Sequence, residues 1–345
     1  VATDRLATSV EADRPFIVAL SALTRIAVYL MVFESLHDCW FLTGATCAGK
    51  TTTALSLAKK LDAEIIALDS MTLYRGMDLG TAKPTRDQQA AAPHHLIDVI
   101  NPDEEYSLSA YLKAAHECVQ QIRSRGKEPL FVGGTPLYLK SLLRGLDDGP
   151  PADWEFRQEV EQEVERVGVE ALHERLRQVD PLTANKLPVG DVRRVVRALE
   201  VYKLTGQPIS HAQLQFEEGR PAGECKVFVL SWERTELHRR IAERVDQMFA
   251  NGFVDEVQAL LDQYGQLGRT ASQAVGYQEV INFLADTCGL EEAMENVKTR
   301  TRRFSKRQGT WFRGLSECRF IPCSPLETAE ELCATILDHE VPTTT

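Results

Sequence analysis

The eight residues "GATCAGKT" (44–51) follow the apolar run Cys39–Leu42 and open a segment patterned as a helix. They match G-x-x-x-x-G-K-[ST], with Gly44, Gly49, Lys50 and Thr51 in register. Glycines let the backbone turn tightly, so that successive N–H groups point inward. The helix N-terminus adds positive potential, the lysine reaches a terminal phosphate, and the Thr51 hydroxyl is placed to ligate Mg²⁺. A plain glycine-rich turn is the competing reading, and the strand before and helix after favour a phosphate cradle.

Outward from this loop the chain alternates strand and helix signals, the order of a parallel sheet covered by helices. "CWFLTG" (39–44) leads into the loop, and a helix is expected over 50–61. "EIIALDS" (64–70) reads as a second strand with an acidic end, its C-terminal edge expected beside the first strand, and "PLFVGGT" (129–135) as a third. Between them Tyr111, Ala115, Val119 and Ile122 fall on one helical face, with Ser107 as N-cap and Gly126 as the stop. From about 149 to 223 the pattern changes to charged helical segments broken by "DGPPADW", "DPLTANKLP" and "TGQP", a helical insertion without strands. "KVFVLSW" (226–232) returns to the sheet, and 235–312 reads as helical apart from loops around 265–276. The expected fold is α/β: a P-loop-type parallel sheet covered by helices, with a helical insertion domain and a helical C-terminal segment. Its divisions are an N-terminal appendage (1–36), a P-loop core (37–148), the insertion (149–223), the return to the core with C-terminal helices (224–325) and a tail (326–345).

With 345 residues, 43% hydrophobic, 26% charged and 7% aromatic, the composition is that of a globular chain rather than a disordered or fibrous one. The eight cysteines are scattered, with no C-x-x-C pair and no finger-like spacing, which argues for a reducing cytoplasm and against structural zinc. "PFIVALSALTRIAVYLMVF" (15–33) has nearly the length and hydrophobicity of a membrane span, but Arg25 at its centre is costly in a bilayer and no small-residue cleavage site follows. Residues 1–36 are therefore an appendage with three readings open: a packed extra helix, a weak membrane contact, or translation from an early start, to which Val1 in place of Met points. No stable membrane partner is expected.

The first competitor for any P-loop is a nucleoside triphosphatase or a small-molecule kinase. "LDSMTLYRGMDLGTAKP" (68–84) puts Asp69 and Ser70 at the end of the second strand, near the cradle. In a kinase an acid there binds metal or takes a proton from a hydroxyl. In a transferase it takes a proton from an amine instead. Spacing alone does not separate the two.

Longer stretches do carry a resemblance. "GATCAGKT", "DSMTLYRGMDLGTAKP", "HHLIDV", "VGGTPLYLKSLLRGL", "RALEVYKLTGQP", "RIAERVDQMFANGFVDEV", "AVGYQE" and "TRRFSKRQGTWFRG" run in order from Phe41 to Gly314, about four fifths of the chain. Together they resemble the tRNA dimethylallyltransferases, also called tRNA isopentenyltransferases. The resemblance implies that the loop, Gly44, Ala45, Thr46, Cys47, Ala48, Gly49, Lys50 and Thr51, holds the diphosphate of dimethylallyl diphosphate, with Mg²⁺ as cofactor on Thr51. The exocyclic amine of the adenosine immediately 3′ of a tRNA anticodon then attacks C1 of the prenyl chain, and diphosphate leaves while the cradle stabilises its charge.

On the same resemblance Asp69 accepts or orients the amine proton, Thr135 offers a hydroxyl beside the cradle, and Arg244 reaches the diphosphate. Read without it, Thr135 is a cap for the helix starting near Pro136, and Arg244, one turn from Arg240, is a solvated helix face. The expected RNA contacts, with an anticodon stem-loop as partner, are Asp69, Ser70, Met71, Thr72, Thr135, Arg157, Arg194, Arg197, Gly276, Tyr277, Arg302 and Lys306. An adenine stacked in a loop hides its amine, so it must be splayed out and held by its edge, with Asp69, Ser70 and Thr72 nearest. The chain is expected to act as a monomer.

A net charge of −11 speaks against RNA binding until its distribution is considered. Residues 298–313 carry Lys298, Arg300, Arg302, Arg303, Lys306, Arg307 and Arg313 with no acid, interleaved with Phe304, Trp311 and Phe312. Arg193, Arg194 and Arg197 form a second basic cluster in the insertion, where Arg194 and Arg197 are one turn apart. The sequence departs from the family pattern at Ala45 for Pro, Ala48 for Ser or Gly, Thr72 for Gln and Pro136 for Gly. The cradle depends on backbone, so these changes spare it; Thr72, shorter than Gln, loses one RNA contact or bridges it through water. Cys47, near a helix N-terminus where a thiol's pKa can fall, reads best as a small filler. His94 and His95 point opposite ways in an extended segment and read as structural. An adenine-nucleotide isopentenyltransferase would share the cradle and Asp69 but would need neither the insertion nor the basic helix. A P-loop kinase and a non-catalytic RNA-binding protein complete the alternatives.

Overall fold

The computed structural model describes residues 32–147, 149–213 and 218–339. Residues 1–31, most of the expected appendage, and 340–345 at the end of the tail lie outside the described residues. The strands in chain order are β1 (Val32–Phe33), β2 (Trp40–Gly44), β3 (Ala63–Ala67), β4 (His94–His95), β5 (Glu128–Val132), β6 (Leu146–Asp147), β7 (Lys226–Trp232) and β8 (Cys318–Cys323). The helices of the first half are α1 (Lys50–Leu61), α2 (Arg86–Ala91), α3 (Leu108–Ser124) and α4 (Pro136–Arg144). Then come α5 (Trp154–Val167), α6 (Val169–Val179), α7 (Pro181–Lys186), α8 (Val192–Thr205) and α9 (Ile209–Gln213). After β7 follow α10 (Arg234–Ala250), α11 (Phe253–Tyr264), α12 (Arg269–Ser272), α13 (Tyr277–Leu284), α14 (Leu290–Arg313) and α15 (Ala329–Asp338).

Two compact units emerge, one of residues 34–145 and 218–339, the other of 146–213 with Val32–Phe33. The larger holds a six-stranded sheet in the order β4-β3-β5-β2-β7-β8, every neighbouring pair parallel. Its strands are short apolar runs because both faces are covered: every residue of β2 and β3 is buried. Phe41 of β2 stacks on Phe131 of β5 at 4.8 Å. Ala54, Leu57 and Ala58 of α1 share a core cluster with Leu42, Phe228 and Ile321 of the sheet. In α3 the Ser107 hydroxyl caps by accepting from the Ala110 N–H, and Tyr111, Ala115, Val119 and Ile122 are buried as their period requires.

β2 is the first strand of this sheet in the chain yet lies inside it, between β5 and β7, so β3, expected beside it, is one strand removed, with β5 bonded to both. The direction of strand addition reverses beside it, and a crevice opens past the carboxyl ends of the strands. That is where residues 44–51 sit.

Several elements of the larger unit are absent from the expectation: the two-residue β4 beside β3, the short α2, the four-residue α12 in a stretch expected as loop, and two more at the C-terminal end. "CRFIPC" forms the edge strand β8, where Pro322 interrupts a strand reading but is tolerated because only β7 pairs with it. Residues 329–338, expected as tail, form α15, started by a Thr328 capping box and burying Leu332, Cys333 and Ile336 in the same cluster as α1. Leu36, assigned to the appendage, is buried, and its N–H donates to Leu142 O at 2.8 Å.

The smaller unit pairs β1 with β6 antiparallel and packs α5–α9 around Phe156, Val160, Leu172, Leu176, Val195 and Leu199. Asp180 ties its short helices together, accepting from the Thr183 N–H and hydroxyl and from the Ser210 N–H. Among the described residues no helix is long and apolar enough to cross a membrane.

Gly44 ends β2 with φ +143°, and a Cβ there would lie 2.7 Å from Leu230 O. Gly44→Ala is therefore expected to lower unfolding stability by roughly 2 kcal/mol or more, measured by denaturant titration.

Candidate active site

The crevice holds a cavity of about 680 Å³ within the larger unit. One wall is the loop. Gly49 takes the left-handed conformation that starts α1, and Thr46 to Thr51 line the cavity, while Gly44 and Ala45 stand behind it. Lys50 folds back to donate to the carbonyls of Gly44 (3.0 Å) and Ala45 (2.8 Å). Thr52 and Thr53 spend their hydroxyls on Gly49 O, whereas the Thr51 hydroxyl, on the cavity wall, makes no hydrogen bond with any described residue.

Another part of the wall comes from the segment after β3. Asp69, Ser70, Met71 and Thr72 all line it. Asp69 Oδ1 accepts from the Met71 N–H at 2.8 Å. Burial raises the Asp69 carboxyl above the ordinary aspartate range, against those backbone bonds and the charges of Lys50 and Arg244. Burial likewise lowers the Lys50 ammonium to about 8, with Arg244 adding to the effect and Asp69 opposing it. The Thr72 hydroxyl is buried and has no hydrogen-bond partner among the described residues. The loop that follows is pinned by Glu256 of α11, which accepts from the N–H groups of Asp78, Leu79 and Gly80.

Thr135 stands at the N-cap position of α4, yet its side chain makes no capping bond; its hydroxyl accepts from the Ser70 N–H at 3.1 Å and lines the cavity. Arg244 is no solvated face. It donates to the Thr46 hydroxyl at 3.0 Å and to Cys47 Sγ at 3.6 Å, while Arg240 donates to Cys47 O at 2.9 Å and stacks over Trp232. Cys47 itself has φ +65°, so the loop holds it in a strained turn.

Several expected RNA contacts are placed elsewhere. Tyr277 is fully buried with its hydroxyl donating to Glu256, and the Gly276 N–H donates to Glu279; the cavity wall ends at Val275. In the smaller unit Arg157 and Arg197 are both spent on buried Glu200, and Arg197 also donates to Pro150 O. Arg194 is exposed, with Asp191 at 3.1 Å. Arg302 pairs with Glu295 and Arg300 with buried Glu279. Lys306, with Arg303 and Arg307, is exposed and makes no ion pair with any described residue. Phe304 and Arg307 line the cavity, as does Arg300.

Sequence reading missed Arg240 and Gln308, which both touch the loop. The signal for Gln308 was its place on the buried stripe Val297, Ser305, Gln308, Phe312 of α14, where a polar side chain needs a partner.

The fold and this cleft define a P-loop transferase, with a carboxyl of raised pKa across from a cationic phosphate cradle. Models described as IPP transferase and Isopentenyl transferase match residues 72–315 and 37–96. The chain belongs to the IPP transferase family. It is 50% identical over 303 residues to a tRNA dimethylallyltransferase of Rhodopirellula baltica, covering 86% of this chain and 91% of that one. With the Geobacter sulfurreducens tRNA dimethylallyltransferase the identity is 45%, covering 79% and 88%. The full-length tRNA isopentenylpyrophosphate transferase of Bacillus halodurans superposes with a TM-score of 0.63 at 36% identity, covering 87% and 94%. A eukaryotic dimethylallyltransferase solved while acting on tRNA reaches 0.70 at 25% identity, covering 86% and 76%.

Against its burial, Arg157 and Arg197 hold the Glu200 carboxyl below the usual range. That contribution is present above the ordinary glutamate pKa and is lost as pH falls through the depressed value. Glu200→Gln is expected to destabilise the smaller unit by about 2 kcal/mol at neutral pH, softened because both guanidinium groups keep some contact with solvent, as read by thermal melts.

Proposed function

We propose that the protein transfers the dimethylallyl group of dimethylallyl diphosphate to N6 of the adenosine immediately 3′ of a tRNA anticodon, releasing diphosphate. The observation that carries this is the pairing, across one cavity, of the cradle with the Asp69 carboxyl, on a chain whose relatives at 45–50% identity are tRNA dimethylallyltransferases. An adenine-nucleotide enzyme would need no cationic helix at the mouth. Here α14 runs from the cavity wall to an exposed cationic side.

The diphosphate lies on the loop N–H groups from Cys47 to Lys50, with Lys50 and Arg244 beside it. Both cations are already held against the loop, so little reorganisation is needed as charge develops on the leaving group. Thr51 brings the free hydroxyl that a divalent ion needs. Among the described residues no cluster of three His, Cys, Asp or Glu is placed to hold a metal alone, so Mg²⁺ would be held by Thr51 and the diphosphate oxygens together. When bound it neutralises charge on the departing diphosphate.

The splayed adenine enters past Phe304 and Arg307, and its edge meets Asp69, Ser70 and the unpartnered Thr72 hydroxyl. As the N6–C1 bond forms and the C1–O bond breaks, Asp69 takes the proton from N6. Thr135 holds the Ser70 backbone and so keeps the Asp69 turn in place. The RNA is gripped at the mouth by Arg303, Lys306 and Arg307, while Arg300 and Arg302 stay with their glutamates.

The proposal is tested with labelled dimethylallyl diphosphate and either an anticodon stem-loop or AMP, followed by nucleoside analysis; label on AMP alone, or phosphate transfer from ATP, overturns it. The kcat/KM profile in dimethylallyl diphosphate should fall on the acid side as Asp69 protonates and on the alkaline side near pH 8 as Lys50 loses its proton. Asp69→Asn should remove the acid limb and lower kcat by roughly 10²-fold or more. Single neutralisations of Arg303, Lys306 and Arg307 should each flatten the log–log salt dependence of RNA affinity by about 0.7–0.9, whereas Arg302→Gln should leave it unchanged.

A further inference from the structure

We infer that Gln308 is a positioning residue for the diphosphate cradle, one carboxamide that clamps the loop after β2 to the turn after β5. This rests on the reading that the cleft takes a prenyl diphosphate. Gln308 is buried at 3% exposure, on α14. Its Oε1 accepts from the Thr46 N–H at 2.9 Å, and its Nε2 donates to Gly134 O at 2.6 Å. The partners dictate the orientation of the amide. Turned over, it would set two donors against each other at Thr46 and two acceptors at Gly134.

The surroundings are shaped to this contact. A Cβ at Gly134 would lie 2.5 Å from Gln308 Nε2, so the turn is close enough only because that residue has no side chain. Gly134 precedes Thr135, whose hydroxyl holds the Ser70 N–H next to Asp69. Thr46 is held from a second side, where its hydroxyl accepts from Arg244. One end of the Gln308 amide therefore sets where the cradle begins, and the other sets the turn that carries Thr135. A simple filler would need only volume. Replaced by an apolar side chain of similar length, this amide leaves a buried donor and a buried acceptor unpaired, and the cheapest relief is for the two loops to shift.

The test compares wild type with Gln308→Met, which keeps length, and Gln308→Glu, which keeps the acceptor for Thr46 but puts a carboxylate against Gly134 O. Binding of inorganic pyrophosphate is measured by calorimetry, and binding of an anticodon stem-loop by anisotropy at fixed salt, with thermal melts to check that each variant is folded. Pyrophosphate affinity should drop about ten-fold in Gln308→Met and further in Gln308→Glu, with KM for dimethylallyl diphosphate rising in step and RNA affinity staying within about two-fold. Pyrophosphate affinity near wild type in both folded variants overturns the inference. So does an equal fall in pyrophosphate and RNA affinity, which would make Gln308 a general support of α14. If wild type binds pyrophosphate but prenylates no RNA, the proposed activity fails while the pyrophosphate comparison still decides the role of Gln308.

Discussion

The cleft depends on a closed turn of backbone at the end of β2, in which the Lys50 ammonium bonds back to the carbonyls of Gly44 and Ala45. A cation held by its own loop fixes the carbonyls of Gly44 and Ala45 and closes the turn before any ligand arrives. The turn is possible because Gly44 passes beneath Leu230 without a side chain, and it is rigid because β2 is bonded on both edges, to β5 and β7. A P-loop on an edge strand would lack that second support.

The loop is then fixed from outside by residues distant in sequence. Trp232 donates its indole N–H to Ala48 O, Arg240 reaches Cys47 O, Arg244 the Thr46 hydroxyl and Gln308 the Thr46 N–H. These groups come from β7, α10 and α14, so the return of the chain to the sheet after the insertion does more than cover a hydrophobic face. It brings in the donors and cations that hold the cradle, and the same α14 carries the exposed cations past the mouth. Preorganisation of this kind is what a leaving group with several negative charges requires, since dipoles already in place cost nothing to orient during the reaction.

An acidic chain can still present a basic surface if its acids are spent locally. Glu200 pairs with two arginines, and Glu279 and Glu295 with one each, that sequence alone would count as free. The cations left over on α14 are those at positions where no carboxylate comes within reach. The electrostatic footprint is thus smaller than the run of basic residues from 298 to 313, and more sharply placed.

The strands β2, β3, β5 and β7, the phosphate loop, α1, the α3 stripe with its Ser107 cap, and the carboxyl of Asp69 beyond the second strand were all legible in the sequence, because each rests on local spacing and on short-range hydrogen bonds. The edge strand β8 and α15 were not, because one contains a proline that only an edge position tolerates and the other is stabilised by burial against α1. Which arginines are free, whether Thr135 caps a helix or holds Ser70, why Tyr277 packs behind the cavity wall instead of facing it, and what Gln308 bonds were decided only by the tertiary structure. Most of those outcomes turn on a partner tens to hundreds of residues away or on the burial that the whole fold imposes, and the energy of such a contact depends on distances that no local pattern encodes; the pairs of Arg197 with Glu200 and of Arg302 with Glu295 are near in sequence and depend instead on which rotamer the surroundings leave open.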